Sequence, residues 1–171
     1  MKKQLMAFAI ASTLCAPALA ADGTVKFAGE VLSSACTVDI GTDNTMTVDL
    51  GKVARNAFTG VGSKASATKF VIKVKECPDT VTNARVQFDG QAYSGDSTVL
   101  ALTEDSGVAK GVGIELSDKK GILPLNTDSV DYALQPTVVN NLDFVARYIA
   151  KSETITSGPA NSVANLTLNY N

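Results

Sequence analysis

The chain has 171 residues, with 15 Lys and Arg against 17 Asp and Glu, a net charge of −2, no His and no Trp. A mildly acidic chain has no electrostatic case for holding nucleic acid or an anionic membrane surface, which are bound through basic patches. Without histidine, the Ser–His, Cys–His and His-ligated metal sites are excluded. The length predicts one domain with room for a real core.

Residues 1–20 read as a secretory signal. Lys2 and Lys3 form a positive n-region, residues 5–14 are a short apolar run, and Ala18-Leu19-Ala20 is a small-residue cleavage site. The run is shorter than the about 20 residues a membrane span needs. Cleavage falls after Ala20, or after Ala21. Cutting after Ala20 removes two lysines and no acid, which leaves 151 residues and moves the net charge to −4. Cys15 leaves with the signal, so Cys36 and Cys77 remain. Two cysteines without C-x-x-C spacing in an oxidising compartment predict a structural disulfide. Closing a loop of roughly 40 residues stabilises by about 4 kcal/mol in the chain-entropy model.

In Asp22-Gly23-Thr24-Val25-Lys26-Phe27-Ala28-Gly29-Glu30-Val31, the small or apolar set Gly23, Val25, Phe27, Gly29 and Val31 alternates with a mostly polar set. That is the two-residue period of a strand. Two readings stand: one long first strand kinked at Gly29, or an extension over 21–28 that need not belong to its own fold. The alternation runs on loosely to Ile40 and carries Cys36. Residues 45–50 alternate and end at Gly51. Residues 54–69, rich in Gly, Ser and Ala, predict a loop with a short helical turn near Arg55.

Further strands are expected where Phe70, Ile72 and Val74 oppose Lys73 and Lys75, over 84–88 and over 98–102. Others are expected where Val112, Ile114 and Leu116 alternate with Gly113 and Glu115, and along Leu142, Phe144, Ala146, Tyr148 and Ala150, with Arg147 and Lys151 outside. Ser157-Gly158-Pro159 then breaks the chain. In the last stretch Ala164, Leu166, Leu168 and Tyr170 alternate with Asn165, Thr167 and Asn169, so this strand would want partners on both flanks and a held terminus. Short strands, frequent turn signals, no helical periodicity and one disulfide predict an all-β sandwich of immunoglobulin type. Gly111-Val112-Gly113 lacks the context of a phosphate loop, Asp39, Asp43 and Asp49 lack calcium-loop spacing, and no constellation points to an enzyme or a cofactor. Asn165-Leu166-Thr167 fits a glycosylation sequon, but in a core strand it reads as coincidence.

With the signal removed, the chain resembles the major pilins of chaperone–usher fimbriae, of the type 1 kind, over its whole length. The resemblance rests on an ordered set: the 23–31 opening, Ala35-Cys36-Thr37-Val38, Val48-Asp49-Leu50-Gly51-Lys52-Val53, Phe70-Val71-Ile72-Lys73-Val74-Lys75-Glu76-Cys77, Gly111-Val112-Gly113-Ile114, Phe144-Val145-Ala146-Arg147-Tyr148, and Gly158-Pro159-Ala160-Asn161 running to Tyr170. Gly158 and Tyr170 take the places of the family's terminal glycine, fourteenth from the end, and its penultimate aromatic. The extension before Phe27 is shorter than the family's, and nothing in the 54–69 loop assigns a receptor.

The resemblance implies an immunoglobulin-like sandwich that lacks its last strand, with the extension 21–28 followed by a single domain over 29–171. It implies a groove beside the final strand that a periplasmic chaperone fills first. At the outer-membrane usher the chaperone strand would be exchanged for the extension of the next copy. Strand addition of this kind, chaperone–pilin complementation included, is a recognised docking mode. Gly23, Val25, Phe27 and Gly29 would be the donor residues. Gly158, Ala164, Leu166, Leu168 and Tyr170 would serve groove and strand recognition, with Leu142, Phe144, Ala146 and Tyr148 in the core beneath. The implied partners are further copies of the chain, other fimbrial subunits, the chaperone and the usher, and the implied location is the fimbrium outside the cell. A minor subunit, either a tip adaptor or an adhesive pilin, is the alternative reading.

Overall fold

The computed structural model describes residues 23–29, 31 and 35–170; the expected signal segment 1–20 lies outside them. Residues 23–29 belong to a separate N-terminal unit, carry no helix or strand and are all exposed, with Phe27 93% exposed. The described residues from Ala35 onward form one compact unit.

That unit is all-β apart from two single 3-10 turns, Thr42–Asn44 and Arg55–Ala57. Its strands are β1 (Thr37–Asp39), β2 (Lys64–Lys75), β3 (Asn83–Gly90), β4 (Ala92–Tyr93), β5 (Asp96–Leu100), β6 (Val112–Asp118), β7 (Gly121–Ile122), β8 (Tyr132–Ala133), β9 (Asn140–Ala150) and β10 (Ala164–Tyr170). The larger sheet runs β1-β2-β9-β6-β5-β4, with β7 also on β6, and the smaller runs β10-β3-β8. Every pairing is antiparallel.

Period-two patterning places the core between the sheets. The even-numbered residues of β9, Leu142, Phe144 and Ala146, are buried, and so are Ile72 and Val74 of β2 beside them. From the small sheet, Ala84, Val86 and Phe88 of β3 point back at them. The Phe144 ring is the hub. It stacks on Phe70 at 5.6 Å, meets Phe88 edge-on at 5.2 Å and lies 5.7 Å from Tyr132, so it touches aromatic rings of both sheets. Such contacts add about 0.5–1.5 kcal/mol each beyond the area they bury. Cys36 is bonded to Cys77, which ties the start of the domain to the end of β2. The expected incomplete immunoglobulin-like sandwich is the observed fold.

Three local expectations change. Residues 64–69 are the first half of β2, because their backbone pairs with β9 from Lys64↔Ile149 onward. A bulge between Ala65 and Thr68, with Ser66 at φ 57°, absorbs the irregular composition there. The turn predicted near Arg55 is present. Residues 45–50 alternate in burial as a strand would, yet join no ladder. The β6 strand is buried on both faces: on the side away from the core, Val99 and Tyr93 lie over Gly113, and Glu115 and Ser117 are covered as well. Glu115 is only 2% exposed there, and its carboxylate is held by Lys64 Nζ at 2.7 Å, with Arg147 Nε at 3.9 Å.

Candidate functional site

One edge of the small sheet is β10. All seven residues of β10 pair with β3, from Ala164↔Gly90 to Tyr170↔Ala84, and no described strand lies on the other side. An antiparallel ladder uses the N–H and C=O of alternate residues, so the other half of the β10 backbone groups point at the open edge. The side chains show the same deficit. Ala164, Leu166, Leu168 and Tyr170 face inward as their alternation predicts, but all four remain half-buried.

Across from β10 runs the segment 45–50. Met46, Val48 and Leu50 face inward from it, and its far end is fixed by two bonds: the Ser66 hydroxyl donates to the Leu50 carbonyl, and the Gly51 N–H donates to Asp49 Oδ1 at 2.8 Å. Between these two walls lies a groove of about 1290 Å³. Its floor is made by Phe70, Phe88, Leu100, Ile114, Leu116, Ala146 and Tyr148, which are core side chains of both sheets. A strand of seven residues is roughly 23 Å long, and the groove extends along the whole of β10.

Its lining is mostly apolar or neutral. Among the described lining residues, Asp49 is the one that carries a charge. Burial pushes the Tyr170 phenol above its ordinary value, and burial followed by the charge of Asp49 does the same for Tyr148. Both phenols therefore stay neutral donors at physiological pH. Tyr148 Oη donates to the Ala160 carbonyl at 3.0 Å and so fixes the chain just before β10. What fits is an apolar segment in extended conformation that brings its own backbone hydrogen bonds.

Of the residues singled out from sequence, Ala164, Leu166, Leu168 and Tyr170 line one wall, and Ala146 and Tyr148 lie in the floor. Leu142 and Phe144 are deeper, fully buried and away from the lining. Gly158 lies outside the groove. A Cβ there would stand 2.8 Å from the Ala109 nitrogen and 2.9 Å from the Val108 carbonyl carbon, and would run into the Gly107 carbonyl oxygen. Only glycine lets the 156–159 turn press on the 107–110 loop, where the Ala109 N–H donates to the Pro159 carbonyl at 2.9 Å. Gly23, Val25, Phe27 and Gly29 are exposed in the N-terminal unit. The second wall, 45–50, escaped the sequence reading as a site element, although its alternation was visible.

The comparisons with known proteins agree with this geometry. A family model described as "Fimbrial protein" matches residues 25–171. Long polar fimbria protein A of Salmonella typhimurium is 34% identical over 170 residues, covering 97% of this chain and 93% of that protein. A probable major fimbrial subunit of Escherichia coli O157:H7 is 37% identical, with the same two coverages. Among solved structures, the P pilus rod subunit PapA superposes with a TM-score of 0.66 at 18% identity, covering 81% of this chain and all of that one. A Burkholderia pseudomallei antigen and type I fimbria protein gives 0.61 at 35% identity, covering 80% of this chain and 90% of that one.

Proposed function

The chain belongs to the fimbrial protein family, and from that premise we propose that it is a shaft-forming subunit whose segment 23–29 fills the open groove of the next copy. Its place is the fimbrium at the cell surface. The observation that carries the proposal is the pairing of two deficits within one chain. One is a groove with a bare strand edge and half-buried apolar walls; the other is an extension whose apolar residues have nothing to bury against. The named relatives include a probable major fimbrial subunit, which favours the shaft over a tip adaptor.

The energetics suit the exchange. Phe27, 93% exposed, gains about 1.5–3 kcal/mol on full burial, and Val25 adds a further contribution of similar kind. The inserted backbone satisfies the open edge of β10, which left bare is a template for aggregation. A periplasmic chaperone strand would cover that edge until an outer-membrane usher brings the next subunit. Since donor and groove are different surfaces of the chain and pair between different copies, the contact is heterologous and propagates into a fibre. The role is structural, with no step of catalysis.

The decisive experiment compares filaments from wild type, Phe27→Asp and a chain lacking 21–28. Wild-type filaments should resist detergent at room temperature and collapse on boiling to one band of this subunit. Both variants should give a folded, chaperone-bound subunit and no filaments. Normal filaments from either variant would falsify the donor assignment, and a trace band in fibres of another subunit would make this a minor component.

A further inference from the structure

The two ends of the sandwich differ in a way that decides which way round a donor must lie. The disulfide end gathers Cys36–Cys77, the close of β2 and Tyr170; Cys36 is where the chain from the extension joins the body. The opposite end gathers the start of β2, the end of β9, Gly90 and Ala164. Each copy's extension is thus covalently attached to its body at the disulfide end. If a received donor ran parallel to β10, its own body would also emerge at the disulfide end, where this copy's extension is attached. An antiparallel donor brings the neighbour's body out at the opposite end, and successive copies can then follow without collision. It also matches the pairing used throughout the body.

Antiparallel register has a further consequence. A one-residue slip would turn the donor's apolar set away from the groove. Setting the five residues Gly23, Val25, Phe27, Gly29 and Val31 against β10 places glycine opposite the bulky Tyr170, Val25 opposite Leu168, Phe27 opposite Leu166 and Gly29 opposite Ala164. Val31 then falls opposite Ser162, one step beyond the strand. At that point the groove opens into a second cleft of about 870 Å³, which shares Ser162 and Val163 with it. Half-buried Tyr93, Leu102 and Val108 line it, together with Val163, which is 73% exposed. Its walls are fixed. The Thr103 N–H donates to the Asn161 carbonyl at 2.8 Å, the Ser162 hydroxyl donates to the Ala101 carbonyl, and the 107–110 loop rests on Gly158. Val31 is 97% exposed.

We infer that this cleft is a second contact of each junction, receiving Val31 of the neighbouring copy where its donor segment leaves the groove. The inference rests on the donor-strand reading above and adds an occupant for the second cleft. It also accounts for Gly158, which holds in place the loop that forms the far wall of the cleft.

Paired cysteines test it in filaments assembled in the cell and boiled without reductant, because a disulfide forms only when the Cβ atoms come within about 3.5–4.5 Å. Val31→Cys with Ser162→Cys should give a covalent ladder, and Val25→Cys with Leu168→Cys should ladder as the marker of donor insertion. A ladder from the marker pair with none from the Val31 pair overturns the cleft contact and leaves the donor reading intact. A ladder from Val31→Cys with Tyr170→Cys overturns the orientation. Ladders from neither pair, in intact filaments, overturn both readings. Val31→Asp avoids added thiols: its filaments should come apart at a lower temperature than wild type, while the isolated subunit unfolds where wild type does. Unchanged filament dissociation would overturn the contact.

Discussion

The β9 and β10 strands are written in the same pattern and meet different fates. Each alternates apolar and polar residues over its length. In β9, Leu142, Phe144, Ala146 and Tyr148 are all buried, while in β10 none of Ala164, Leu166, Leu168 and Tyr170 is. The difference lies in the flanks. The β9 strand is bonded to β2 on one side and β6 on the other, whereas β10 has β3 alone. Alternation specifies which face a side chain takes, but depth of burial needs a neighbour on both sides. Where the described residues supply only one, as for β10, the apolar face stays half-exposed and open to a docking strand.

The largest effect should come from cutting into the closed side. Phe144→Ala removes the ring that joins both sheets and should cost about 3–5 kcal/mol in denaturant unfolding of the free subunit. It should cost about as much once a donor peptide spanning 21–32 has filled the groove, because that ring is already fully enclosed. A cost that grows several-fold on filling would break the contrast between the two strands.

Leu168→Ala should behave in the opposite manner. In the free subunit the side chain is half-buried, so truncation should cost about 1 kcal/mol; with the groove filled it should approach the 2–5 kcal/mol of an enclosed leucine. Unfolding of the variant with and without the 21–32 peptide measures both. Equal costs in the two states would mean that the peptide does not cover Leu168.

Much of this contrast was legible before any coordinates, and what was hidden has physical reasons. The inward faces of β2, β3, β9 and β10 follow from period-two patterning, while the family resemblance rested on the ordered set of residue motifs running to Tyr170. The 45–50 segment alternates just as well and still forms no ladder among the described residues: a pattern tells which way side chains face, not whether a strand lies beside them. Residues 64–69 hide their strand behind Ala, Ser and Thr, since pairing with β9 and not side-chain propensity holds them extended. Glu115 looked like a solvent-facing position; its burial depends on Lys64 and Arg147, distant in sequence and on two other strands. Gly158 stood out by its place near the end of the chain, but only the contact with the 107–110 loop shows what its missing Cβ is for.

A gentler probe reads the backbone itself. Amides of 45–50, free of any ladder among the described residues, and those of β10 that face the open edge should exchange quickly in the free subunit, while β9 stays protected. Adding the 21–32 peptide should slow β10 by at least tenfold and leave β9 unchanged. Protection that rises evenly through both strands would point to general stabilisation instead of strand addition.

The smallest effect sharpens the contrast by being blind to it. Asp96, at the start of β5, accepts from Lys151 Nζ at 2.7 Å and from the Thr98 hydroxyl and N–H at 2.6 and 3.0 Å. The bond from Lys151, followed by those from Thr98, holds its carboxyl down at about 2, below the ordinary 3.8. A depressed carboxylate favours the fold wherever it is ionised. Its contribution is therefore complete above pH 3.8 and is lost as the pH falls through about 2. The pair is half-exposed and screened by salt, so the step should be small and should shrink further at high ionic strength. Lys151 and Asp96 are absent from the groove lining, so the acid step should have the same size with the groove open or filled, and Asp96→Asn should flatten it equally in both states. A step that appeared only in the filled state would mean that β5 and the end of β9 sense the donor, and the closed side would then be less closed than its burial implies.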